Sequence, residues 1–135
     1  SGLNSGFMIP QYTCAALVSE NKVLSHPASV DSIPTSAGQE DHVSMGAHAA
    51  RKARTILENA FYVLSIEILA AAQGIDFSRP LKAGKGTEAA HGAVRRAVPF
   101  YEKDCLMEPL IQAVHKITRS GKLVADVESA IGDLH

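Results

Sequence analysis

The stretch VSMGAHAARKARTILENAFYVLSIEILAAAQ, Val43 to Gln73, decides the fold. It holds no proline, Asp41 just ahead of it can cap a helix, and Gly74 just behind it suits a helix C-terminus. The pattern predicts one helix of about 45 Å, at roughly 1.5 Å per residue. Its first half is amphipathic and basic, through Arg51, Lys52 and Arg54. Ala60 to Ala72 is apolar nearly all round, interrupted by Ser65 and Glu67, which implies burial on every side. A chain of 135 residues can hardly surround such a helix alone, so partner chains or further parts of the same chain are expected to supply the remaining walls.

Upstream, Phe7 to Leu24 reads as a first helix, with Pro10 in its opening turn and polar residues gathered at Ser19, Glu20, Asn21 and Lys22. Ser25 to Gly38 contains Pro27, Pro34 and five Ser or Thr residues without periodicity, which predicts an extended connector over 25–40. A loop of that length inside a compact domain is uncommon unless it binds something or covers a site. Downstream, Ile75 to Gly86 reads as a loop, and helices are expected over Thr87–Ala97, Met107–Arg119 and Val124–Ile131, with Pro99 ending the first of these and Pro109 opening the second. With no strand alternation and no repeat, the class is all-α, a long-helix bundle forming a single helical segment over 1–135.

Composition sets the outer limits. Thirteen Lys and Arg against fourteen Asp and Glu give a net charge of −1, which offers nucleic acid or an anionic membrane no strong field. The longest dense apolar run is shorter than the roughly 20 residues of a membrane span, so no span is expected. Aromatic residues make up 5% of the chain, leaving Ala, Leu, Val and Ile to build the core. Cys14 and Cys105 form neither a disulfide framework nor a CxxC zinc pattern, and a reducing, cytoplasmic setting fits them best.

Several suggestive clusters carry little. Gly84-Lys85-Gly86-Thr87 lacks the Lys-Ser/Thr pair and the preceding strand of a phosphate loop. Glu40, Asp41, His42 and His48 gather metal-ligand types, but the two histidines stand six apart, about 240° round a helix, so no metal site is expected. Cys14 reads as a small buried hydrophobe, and no nucleophile-elbow motif accompanies the Ser, His and Asp residues. What remains is Pro34 to Gly46, a polar, turn-rich run meeting the start of the longest helix, whose positive end can hold Glu40 and Asp41.

Four runs, in order and with this spacing, carry a resemblance: Ser1-Gly2-Leu3-Asn4-Ser5-Gly6-Phe7-Met8-Ile9-Pro10-Gln11, Ser19-Glu20-Asn21-Lys22, His26-Pro27-Ala28-Ser29-Val30-Asp31-Ser32, and Gln39-Glu40-Asp41-His42-Val43-Ser44-Met45. Together they resemble the C-terminal portion of the histidine ammonia-lyases, within the aromatic amino acid ammonia-lyase family. The resemblance is specific to about Gly46 and weaker along the helices beyond. It implies a carbon–nitrogen lyase that eliminates ammonia from L-histidine to give trans-urocanate, in histidine catabolism. It also implies a methylidene-imidazolone group made from an Ala-Ser-Gly triplet, no metal, and a homotetramer around a bundle of long helices, which would supply the missing walls.

No Ala-Ser-Gly triplet occurs in this chain, since Ala28-Ser29 is followed by Val30, so the segment alone is expected to be inactive and to need the upstream part of a lyase chain. By the resemblance, Glu40 faces the substrate imidazole, Gln39 belongs to the adjoining polar network, and Met8 lines the pocket. A carboxylate there suits an imidazole N–H, whereas relatives acting on phenylalanine or tyrosine usually carry Gln. Gly38 departs from the Asn expected before Gln39 and loosens the backbone there. The alternative is a non-catalytic helical interaction or oligomerisation module on the same scaffold.

Overall fold

A computed structural model describes residues 4–30, 32–40 and 42–134. Its described residues form five α-helices: α1 (Met8–Leu24), α2 (Gly46–Phe77), α3 (Lys85–Ala97), α4 (Glu108–Arg119) and α5 (Lys122–Ile131). Among the described residues the one β-type pairing is a single antiparallel bridge between Thr35 and Glu40. The chain divides into two compact units, one of Ser1–Cys14 with Phe61–His135 and the other of Ala15–Ala60, and α1 and α2 each contribute residues to both.

The larger unit is built on the second half of α2. Leu69, Val94, Val98 and Val114 are almost completely buried with Ala72, and Ile68, Leu110, Ile111, Ile117 and Leu123 pack against them. Each fully buried aliphatic side chain of this kind stabilises the fold by roughly 1.5–3 kcal/mol. α3 and α5 lie close together where Gly86 faces α5: a Cβ at Gly86 would stand 3.0 Å from Ile131 Cδ1 and 3.6 Å from Val127 Cγ1. The apparent phosphate-loop glycine is therefore a helix-contact residue. His115 on α4 stacks on Tyr62 of α2 with ring centroids 4.1 Å apart, and the Arg119 guanidinium lies over the Phe61 ring at 5.0 Å.

α2 departs from its predicted limits at both ends. It starts at Gly46, not Val43. The backbone N–H of Val43 donates to Ser32 Oγ at 2.8 Å, a side-chain bond that competes with a helical turn. The predicted cap, Asp41, lies outside the described residues. At the other end the helix passes through Gly74 and stops at Phe77. Contacts from α3 hold the additional turn: Arg95 Nε donates to Asp76 Oδ2 at 2.6 Å, and His91 Nε2 lies 2.8 Å from Asp76 Oδ1. Phe77 meets Phe100 edge to face at 5.6 Å between ring centroids.

By length and composition α2 could cross a membrane. Three polar side chains along it, Asn59, Ser65 and Gln73, are buried and each is hydrogen-bonded within the protein. Ser65 Oγ donates to the Phe61 carbonyl at 2.6 Å, and Gln73 Nε2 donates to the Tyr101 carbonyl at 2.6 Å while its Oε1 accepts from Arg95 at 3.0 Å. In the smaller unit, Asn59 donates to Glu20 Oε2 at 2.9 Å and to Asn21 Oδ1 at 3.0 Å. The three buried polar side chains of the described core are thus all hydrogen-bonded, as burial requires. The other helices begin and end within two residues of their predicted limits.

Candidate functional site

Glu40 and Gln39 lie in the smaller unit, on the irregular chain between α1 and α2, and both are exposed. Because α2 begins only at Gly46, Glu40 does not sit in its first turn, and the expected hold by the helix end is replaced by a local clasp. Thr35 N–H donates to the Glu40 carbonyl at 2.9 Å, and Glu40 N–H returns to the Thr35 carbonyl at 3.3 Å. The Thr35 hydroxyl donates to Glu40 Oε2 at 2.9 Å, fixing the carboxylate itself. Thr35 is the residue that the reading of the sequence missed. A threonine five positions before a glutamate carries no signal unless the turn between them is known.

That turn is unusual. Ser36, Ala37 and Gly38 all have positive φ, at 53°, 56° and 86°. Left-handed conformations cost L-residues other than glycine roughly 1–2 kcal/mol each, so Ser36 and Ala37 are strained and Gly38 is not. The departure from Asn at position 38 therefore suits the geometry instead of loosening it, because Gly and Asn are the residues that enter this region most easily. Two inner hydrogen bonds, Gly38 N–H to the Thr35 carbonyl at 3.0 Å and Gln39 N–H to the Ser36 carbonyl at 3.2 Å, complete the turn.

Met8 belongs to the larger unit, where it opens α1 and is 52% exposed. The turn before it is fixed from far along the chain. Asp104 accepts the backbone N–H of Gly6 at 3.0 Å with one carboxylate oxygen and that of Ser5 with the other. Ile9, Pro10, Thr13, Tyr62, Ile111 and Gln112 border an open cavity of about 570 Å³ beside this turn, and Met8 is not among its lining residues.

Among the described residues no group of three or more His, Cys, Asp or Glu side chains could hold a metal ion. Both cysteines are free, Cys14 half-buried with its thiol pushed up by burial, which makes it a poor nucleophile, and Cys105 exposed. His91 is committed to structure. The Arg79 guanidinium, which can only donate, stands 3.2 Å from Nδ1, so Nε2 carries the proton donated to Asp76.

The sequence profile of the aromatic amino acid lyases matches residues 1–96. Histidine ammonia-lyase 2 of Fusobacterium nucleatum is 58% identical over 97% of this chain. Among solved structures, histidine ammonia-lyase from Trypanosoma cruzi superposes with a TM-score of 0.91 at 50% identity, over 96% of this chain and 26% of that one. A tyrosine aminomutase from Streptomyces globisporus superposes with a TM-score of 0.92 at 37% identity, over 100% of this chain and 26% of that one. The chain spans about a quarter of the length of these relatives, 26% of the Fusobacterium protein. On a profile match covering 1–96 and a shared all-helical fold, this chain belongs to the aromatic amino acid lyase family.

Proposed function

We propose that this chain serves as the C-terminal part of a histidine ammonia-lyase, which eliminates ammonia from L-histidine to give trans-urocanate. The observation that carries the reading is Glu40, an exposed carboxylate held in place by Thr35 within the Gln-Glu-Asp-His run. A carboxylate accepts the imidazole N–H and pairs with a protonated ring. Phenylalanine or tyrosine offers that charge no partner in its ring. The fold by itself does not choose the substrate, since a tyrosine aminomutase shares it. Relatives bearing the histidine ammonia-lyase name at 58% and 60% identity support histidine.

By the family resemblance, Gln39, next to Glu40 in the sequence, belongs to the adjoining polar network, and Met8 is a lining residue. The methylidene-imidazolone group of the family is the electrophile for the elimination. Ala28, Ser29 and Val30 cannot form it, because the triplet needs glycine third. The part played by this chain is to bind and orient the imidazole.

We further infer that the chain works within a homo-oligomer, a tetramer by family resemblance, in the cytoplasm. Ala50, Leu57, Leu64 and Ala71 recur every seven residues along α2 and are all exposed, the spacing of a seam between helices. Leu57 is 54% and Leu64 47% exposed, leaving apolar surface for other copies or upstream chain to cover. Mixing tests the whole reading: the chain alone should make no urocanate from L-histidine, and co-refolding with the upstream lyase segment should produce it, followed by ultraviolet absorbance. Urocanate from the isolated chain would contradict the division of labour. Silence from a correctly assembled complex would favour a non-catalytic helical module.

A further inference from the structure

We propose that Thr35 is a positioning residue for substrate recognition, its hydroxyl holding the Glu40 carboxylate in the orientation that receives the imidazole. The inference rests on the histidine reading of Glu40 and adds to it a residue outside the Gln-Glu-Asp-His run. The Thr35 hydroxyl donates to Oε2 at 2.9 Å, which leaves Oε1 as the oxygen for the ring N–H. The pair of backbone bonds between the same two residues, at 2.9 and 3.3 Å, fixes the Cα positions, so the hydroxyl closes a second ring on a frame already set.

An exposed glutamate normally samples several rotamers and must be ordered when a ligand arrives. A carboxylate ordered beforehand spares that loss, and the binding gained is worth roughly two- to twelvefold per immobilised side chain. The turn between the partners is consistent with a built device. Ser36 and Ala37 are both held at positive φ, which persists only where surrounding bonds enforce it, and such strain clusters at ligand clamps. A connector that only joined α1 to α2 would not need it.

The test uses the full-length lyase and the kinetics of histidine deamination in a set of variants. Thr35→Val, nearly isosteric but without the hydroxyl, is expected to raise KM roughly three- to tenfold with a smaller change in kcat, because the lost contact orients the ground state and transition state alike. Thr35→Ser, which keeps the hydroxyl, should recover most of the loss. In a Glu40→Gln background, Thr35→Val should change little further, since the charged partner is gone. Wild-type KM in Thr35→Val overturns the inference. So does a Ser variant as impaired as the Val variant, or an equal penalty in both backgrounds, each of which assigns Thr35 to the backbone alone. Failure of the unsubstituted lyase to deaminate histidine overturns the histidine reading itself, and this inference with it.

Discussion

Asp104 reaches 98 residues back along the chain to take the Gly6 backbone N–H at 3.0 Å, and its own N–H donates to Asn4 Oδ1 at 3.2 Å. The carboxylate thus holds, from a distant segment, the turn that leads into α1 and Met8. Asp104→Ala is expected to destabilise the fold by about 1 kcal/mol, the ordinary net worth of such hydrogen bonds, with Asp104→Asn losing less because one acceptor survives. Chemical denaturation of the three proteins checks the order. Equal midpoints would remove Asp104 from the account of how Met8 is presented.

Gly38 offers a cleaner test of backbone geometry. Its φ is +86° and a Cβ there would meet nothing within 4 Å, so any penalty for a side chain comes from the backbone alone. Gly38→Ala should cost about 1 kcal/mol and lower histidine affinity by disturbing the Glu40 clasp, while Gly38→Asn should be nearly neutral. An alanine variant as stable as the parent would mean that this turn is not left-handed.

Arg95 joins more of the larger unit than any sequence pattern suggested. It donates to Asp76, to Gln73 and to the Pro99 carbonyl at 3.0 Å, with its side chain 14% exposed. Desolvation raises the Asp76 carboxyl, but the bonds from Arg95 and His91 outweigh it and hold the group below its usual range. Arg95→Ala should cost about 3 kcal/mol, and Arg95→Lys should recover little because an ammonium cannot fork to three partners. Unfolding curves of both variants decide it, and a fully rescued lysine variant would contradict the geometry.

Acid and alkali should act through different residues. The Arg79 guanidinium grips Glu88 with two bonds of 2.9 Å and holds its carboxyl at about 2 instead of 4.5. A depressed folded value means stability present above 4.5 that is lost as pH falls toward 2. The stability gap between wild type and Glu88→Gln should therefore close across that window. Burial pushes the Tyr101 hydroxyl from 10 up to about 12, which stabilises the fold below 10 and is lost as pH rises through 12. Tyr101→Phe should abolish the alkaline loss, and since the buried hydroxyl has no hydrogen-bond partner, it should cost little near neutral pH. An unchanged alkaline profile in the Phe variant would show that another group titrates there.

Most of the helical plan was legible because it rests on local signals: Pro10 and Pro109 open helices, and Pro99 follows the end of α3. The limits of α2 were not, because both are set by partners distant in sequence. Ser32 takes the Val43 N–H at one end, and His91 and Arg95 extend the helix past Gly74 at the other. The choice of Glu40, Gln39 and Met8 as candidate site residues rests on motif resemblance. The Thr35 clasp was not legible, since it depends on left-handed conformations at Ser36 and Ala37, residue types that give no sign of adopting them.

The central claim is that Glu40 reads the imidazole, and one substitution addresses it directly. In the full-length lyase, Glu40→Gln keeps the size of the side chain and removes its charge. Urocanate formation from L-histidine, followed by ultraviolet absorbance, should fall by orders of magnitude. Turnover close to wild type would contradict the role assigned to Glu40.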